Sequence, residues 1–318
     1  MPSVYPELPA IRDQWILARR PARERLDPGR PYAFFVEEEC SKDGSVLPVA
    51  TVFLTNRECP WRCVMCDLWR NTLTESVPVG AIPAQIDYAL SRLPNARQVK
   101  LYNSGSFFDG RAIPMEDFPA IAERVKSFER VIVESHPALI GEGALRFRDL
   151  LQAPLEVAMG LETVHPDILP RLNKRMSLRQ FGEAADFLRV HAMDLRVFVL
   201  VKPPFLEEAE ACEWAARSID FAFDCGATAV TLIPTRGGNG AMEDLAGNGE
   251  FSPPRIATLE NAFVYGLGLG RGRVFVDLWN MHSHESCPLC YDARLERLQA
   301  MNLRQIILPP AALCEACL

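Results

Sequence analysis

Cys59, Cys63 and Cys66 stand in the run 55–66, directly after an apolar stretch, 47–55, that reads as a strand. The C-x3-C-x2-C spacing puts three thiols on one short loop at a strand end, so the fold must deliver that loop to a functional rim. Soft thiolates select zinc and iron–sulfur clusters. Three of them, with no fourth in the loop, suit an iron–sulfur cluster that leaves one iron open to a small molecule. Structural zinc with a fourth ligand from elsewhere is the competing reading. Plain core thiols do not fit the polar flanks Pro60, Arg62, Asp67 and Arg70. An odd set with no secretory signal ahead of it does not read as a disulfide framework.

The stretch 47–280 alternates strand-like and helix-like segments. Strand candidates lie at 49–55, 98–103, 130–134, 155–159, 195–201 and 229–233, each short and rich in β-branched or aliphatic residues. Between them, apolar residues recur at helical spacing: Ile86, Ala89, Leu90 and Leu93; Phe181, Ala184, Ala185 and Leu188; Cys212, Ala215, Ala216, Ile219 and Phe223. Gly226 is the expected stop of the last of these. Such alternation predicts a parallel sheet covered by helices. Its chemistry belongs at the carboxyl ends of the strands, where the cysteine loop falls. A last strand is expected at 273–278. Residues 1–46 read as an N-terminal extension, and the arginine-rich run 12–30 within it as a solvated arm. Residues 281–318 read as a cysteine-rich tail.

That tail holds Cys287-x2-Cys290 and Cys314-x2-Cys317, separated by 23 residues. Paired C-x2-C knuckles supply four thiolates, enough for a closed zinc site or a second, fully ligated [4Fe–4S] cluster. Spacing does not separate the two. His282 and His284 lie beside them as alternative ligands, substrate contacts or plain loop histidines.

The loop also resembles that of the radical S-adenosylmethionine (radical SAM) superfamily. The phrases 100–107, 133–135, 160–163, 173–174 and 202–206 narrow the resemblance to its elongator-type branch, and within it to the radical SAM subunits of archaeosine synthases. The resemblance implies a partial (β/α)6 TIM-type barrel, open on one side. It implies a [4Fe–4S] cluster on Cys59, Cys63 and Cys66 whose open iron chelates SAM. It implies reductive cleavage of SAM to a 5′-deoxyadenosyl radical, which takes hydrogen from an organic substrate such as a 7-deazaguanine-type base in tRNA. Peptide or small-metabolite substrates, and a silent metal-binding scaffold, are the alternatives.

By position, Met65 falls where the family places an aromatic residue near adenine. A polarizable thioether also packs on a ring. Ser104, Gly105 and Ser106 fall where the family binds the SAM amino group. Glu162 is expected on the SAM ribose, Lys174 on its carboxylate, and Lys202 at the site mouth. Glu134 is a further carboxylate at a strand end. His136 stands where the family picture has an arginine.

Composition sets the remaining limits. The chain has 318 residues, 48% of them hydrophobic, and a formal net charge of −7. That charge argues against broad electrostatic binding of nucleic acid, though not against a local contact. No apolar run approaches the roughly 20 residues of a membrane helix. Ten cysteines point to a reducing compartment. Composition therefore fits a cytoplasmic protein, and the radical SAM resemblance implies an enzyme served by a reductant such as a flavodoxin or ferredoxin.

Overall fold

Strand pairing follows chain order from first to last. In the computed structural model, which describes residues 3–281, 287, 289–311 and 314, a single sheet runs β1-β2-β3-β4-β5-β6-β7-β8. The strands are β1 (Ala33–Cys40), β2 (Val46–Phe53), β3 (Gln98–Tyr102), β4 (Arg130–Glu134), β5 (Leu155–Glu162), β6 (Asp194–Val201), β7 (Ala229–Pro234) and β8 (Arg273–Val276). β1 is antiparallel to β2, and every later pair is parallel. The partial barrel expected from the sequence is present, and β1 and β8 widen it at its two edges.

Side chains alternate across each strand, and the two faces are unlike. One face is aliphatic: Val99 and Leu101, Val131 and Val133, Val197 and Val199, Val230 and Leu232 are all fully buried. They pack into the main hydrophobic cluster with Ile82 and Ile86 of helix Ala81–Leu90, Phe181 of helix Leu178–Val190 and Ile219 of helix Glu208–Asp224. Each such side chain contributes about 1.5–3 kcal/mol of transfer free energy. Helix Leu178–Val190 starts on a capping box, Ser177 with Gln180. Gly226, at φ 86°, ends the helix before β7 as expected.

The other face is charged and aromatic. Glu39 of β1 lies 2.6 Å from Lys100 of β3 and 2.5 Å from Arg196 of β6. Glu156 of β5 lies 2.6 Å from Arg196 and 3.0 Å from Arg273 of β8. Strands that are not neighbours in the sheet meet this way only across the inside of a curl. The inward face is thus plugged by buried ion pairs near the amino ends of the parallel strands. Burial raises and the facing cations lower the Glu156 carboxyl, and the cations win. Burial opposes the charge of Lys100 as well, and its carboxylate neighbours outweigh it.

Helix Tyr291–Arg304 packs against β1 and β8 and closes the free edge of β8. Asn302 accepts from the Val276 amide (2.8 Å) and donates to its carbonyl (2.9 Å). Gln305 makes the same pair of bonds to Val274, at 2.8 Å each. No described helix is long and apolar enough to cross a membrane.

Candidate functional site

β2 ends at Phe53, and the chain then turns over the carboxyl rim of the sheet as the cysteine loop. Polar side chains from distant segments hold that loop. Asn239 donates to the Val64 carbonyl (2.8 Å) and the Cys66 carbonyl (3.1 Å). Asn173 donates to the Arg62 carbonyl (2.7 Å), and the Val64 amide donates to Leu172 (3.0 Å). Arg62 donates to the Cys59 carbonyl (2.6 Å). Glu58 gathers Arg20 (2.7 Å), Arg62 (3.1 Å) and Arg23. The arginine run is therefore not a solvated arm. Arg12 is buried, and its guanidinium donates to Pro6, Glu7 and Pro170 carbonyls. Burial pushes the Cys59 and Cys63 thiols up, and Cys66 up to about 12. Thiols so placed stay protonated until a metal displaces the proton.

The segment after β3 lies against this loop. A side chain at Gly105 would meet Cys59 Cβ at 3.3 Å, so glycine is what allows the approach. Ser104 has φ 54°, and its hydroxyl pairs with Tyr32 Oη at 2.8 Å. Glu134 does not reach into open space. Its carboxylate accepts from the amides of Asn103 (2.6 Å) and Gly105 (3.4 Å), and burial raises its pKa. Ser106 accepts from the His136 amide (2.8 Å).

The end of β5 carries a bulge between Gly160 and Glu162. Glu162 has φ 66° and meets Lys174 Nζ at 2.5 Å. Burial opposes the Lys174 charge, but the Glu162 carboxylate outweighs it and raises its pKa. Asn173 and Arg175 flank Lys174 at φ 58° and 57°. Left-handed backbone at non-glycine residues costs energy and persists only where surroundings enforce it. Ser104, Glu162, Asn173, Arg175 and Lys202 all lie at the carboxyl rim, so the strain concentrates at the site.

His136 stacks on Trp61 of the cysteine loop, with ring centroids 3.7 Å apart and planes 10° from parallel. Its Nδ1 accepts from the Ala138 amide (3.1 Å), which leaves Nε2 to donate to the Lys174 carbonyl (3.1 Å). Burial, and then the Lys174 cation, bring its pKa down to about 3.

Between this rim and the charged plug, the inward face is lined with rings. Phe35, Phe53, Tyr102 and Phe198 are half-buried on strands, and Trp279 is exposed just beyond β8. Tyr102 meets Phe198 at 6.3 Å, Phe53 meets Tyr102 at 6.1 Å, and Phe35 meets Trp279 at 5.3 Å. Such a belt suits a planar or apolar group.

Met65 is half-buried and packs on the apolar cluster of Val64, Leu172 and Leu206. Lys202 turns to Ser252, whose carbonyl accepts at 3.0 Å, and to Glu208 at 3.3 Å. In the tail, the sulfurs of Cys287, Cys290 and Cys314 all lie within 4.8 Å of one another. A single ion with metal–sulfur bonds of about 2.3 Å bridges such a span. Cys317, His282 and His284 lie outside the described residues.

Sequence reasoning missed Trp61, Glu58 and Asn239, and it marked Asn173 in a phrase without foreseeing its bond to the cysteine loop. The signal at Trp61 was its place inside the cysteine run. Glu58 also stands in that run, directly before Cys59, whereas nothing local marks Asn239, which acts on a loop remote in sequence.

Three soft thiols on one loop, a glycine cradle against Cys59 and a buried cation–carboxylate pair beside Cys63 fit a cluster with a chelated small zwitterion. No protein-family model matches the chain. An archaeosine synthase subunit beta of Methanosarcina acetivorans is 29% identical over 225 residues, covering 67% of this chain and 65% of that one. The match thus spans just under two thirds of that relative's length. An uncharacterized protein of Methanocaldococcus jannaschii is 25% identical over 248 residues, covering 73% and 68%. Among solved structures, Elp3 of Methanocaldococcus infernus shares the fold at a TM-score of 0.50, with 15% identity and coverage of 70% and 58%. In its cysteine loop, in the curled parallel sheet beneath it and in these likenesses, the chain resembles the elongator-type radical SAM proteins.

Proposed function

We propose that this chain is a radical SAM enzyme of the reducing cytoplasm. Cys59, Cys63 and Cys66 would hold a [4Fe–4S] cluster with one iron open to SAM. When bound and reduced, that group supplies an electron to SAM, giving methionine and a 5′-deoxyadenosyl radical. The rest falls to the chain's own residues. Ser104, Gly105 and Ser106 present backbone and hydroxyls to the SAM amino group. Lys174 presents a cation to its carboxylate, and Glu162 a carboxylate to its ribose. Met65 packs near adenine, and Lys202 stands at the mouth. The aromatic belt receives the substrate and excludes water beneath the cysteine loop.

The observation that carries this reading is the packing of Gly105 against Cys59, which brings the small-molecule segment onto the thiol loop. For substrate we favour a 7-deazaguanine-type base in tRNA, because a subunit-beta relative is an archaeosine synthase component and the belt suits a planar ring. That relative's description as a subunit also supports a protein partner. A flavodoxin or ferredoxin would supply the electron. Cys287, Cys290 and Cys314, joined by Cys317, would hold zinc or a second cluster.

The test is anaerobic. The protein is reconstituted with iron and sulfide, given SAM and a strong reductant, and assayed for 5′-deoxyadenosine. The control is the triple Cys59/Cys63/Cys66→Ala variant. Product from the wild type alone supports the reading. No product from a protein with an intact cluster sinks it.

A further inference from the structure

We propose that His136 is a positioning residue that locks the cysteine loop to the Lys174 segment and so sets the SAM-binding geometry; the second half of this rests on the radical SAM reading above. Three loops meet at this one residue. Its ring lies flat on Trp61, between Cys59 and Cys63. Its Nε2 donates to the Lys174 carbonyl at 3.1 Å. Its backbone amide donates to Ser106 Oγ at 2.8 Å. No other described residue is seen to join the cysteine loop, the 103–106 loop and the Lys174 segment through three separate bonds or stacks of its own.

The Lys174 segment needs such a hold. Asn173 and Arg175 are both left-handed, a conformation that asparagine tolerates but that arginine leaves when contacts allow. Asn173 is tied by Arg62 and Asp13, and Arg175 by Asp13 at 2.7 Å. The Lys174 carbonyl between them is tied by His136. The Nδ1 bond from Ala138 fixes the tautomer, so Nε2 is always the donor. Both ring nitrogens are engaged by backbone groups and one face is covered by Trp61, so the ring acts through Trp61 and Lys174 rather than on SAM. An imidazole serves both contacts at once: a flat face for the indole and an edge donor for the carbonyl. Phenylalanine supplies only the face, and glutamine only a donor.

The test uses the reconstituted full chain and three readouts: iron per chain, the SAM dissociation constant, and the electron paramagnetic resonance of the reduced protein with and without SAM. His136→Phe should keep its iron and weaken SAM binding by about fivefold to tenfold, the loss expected of one buried hydrogen bond. It should also blunt the change SAM makes in the spectrum. His136→Gln should recover part of the affinity. Trp61→Leu, which attacks the stack from its other side without removing the buried ring, should lower iron retention while circular dichroism stays native. Wild-type affinity and spectrum in His136→Phe would overturn the proposal, and so would full iron retention in Trp61→Leu. These outcomes are separate from the fate of the parent reading, which falls if the wild type itself makes no 5′-deoxyadenosine.

Discussion

Lys174 Nζ stands 2.5 Å from Glu162 Oε1, and the pair fills the space that a side chain at position 160 would need. A Cβ at Gly160 would collide with the Glu162 carboxylate and the Lys174 amine. Gly160→Ala therefore displaces both side-chain ends without touching a cysteine. The expected result is SAM binding weakened tenfold or more, the scale of a charge-assisted hydrogen bond, with iron content unchanged. Titration calorimetry beside an iron assay checks both. Unchanged affinity would show that the pair takes no part in holding SAM.

The two cysteine groups should load independently. Cys63→Ala is expected to lose the loop iron and all SAM cleavage while the tail keeps its metal. Cys290→Ala should do the reverse at the tail. Elemental analysis for iron and zinc on the two purified variants decides this, and it also identifies the tail metal.

Arg196 bridges Glu39 and Glu156 inside the barrel. Arg196→Met removes the cation but leaves both carboxylates buried. Stripping one partner from a buried ion pair costs roughly 3–5 kcal/mol. A urea midpoint well below wild type is expected. Equal midpoints would mean that water reaches the plug.

His136 gives the fold a pH dependence of known sign. Burial and the Lys174 cation hold its folded pKa at about 3, below the ~6.5 of an unfolded chain. Above that unfolded value neither state is protonated, and the native fold pays no penalty. As pH falls from there towards 3, only the unfolded chain takes the proton, and stability drops by about 1.4 kcal/mol per pH unit from this group. Denaturation at pH 7.5 and 5.5 should show a larger loss in wild type than in His136→Phe. Parallel losses would assign the pH response to other groups.

The pattern from β2 to β8 was legible because the outward face of the sheet is aliphatic there and that periodicity is local, whereas β1, with Phe34, Glu38 and Cys40 on that face, was read only as part of an extension. The thiol loop was legible for the same reason: its ligands are seven residues apart at most. The inward face was not. Glu39, Lys100, Glu156, Arg196 and Arg273 look like scattered surface charges until the curl brings them together. The arginine run 12–30 misled because its partner, Glu58, and the carbonyl of Pro170 lie far along the chain. Glu134 looked like a free carboxylate at a strand end, and only the fold shows the amides it receives. Asn239 sits in a glycine-rich stretch with no local mark of a role, and it fastens the cysteine loop.

Asn302 and Gln305 offer β8 two side-chain amides where a neighbouring strand would offer two peptides. The last strand of an open sheet is ordinarily a template on which other chains polymerise. Here the molecule carries its own terminator for that template, at the far end of the helix that leads away from Cys290 and in the residue that caps it. A chain cut short before residue 302 would keep its thiol loop and its rim intact, yet it would lose its solitude.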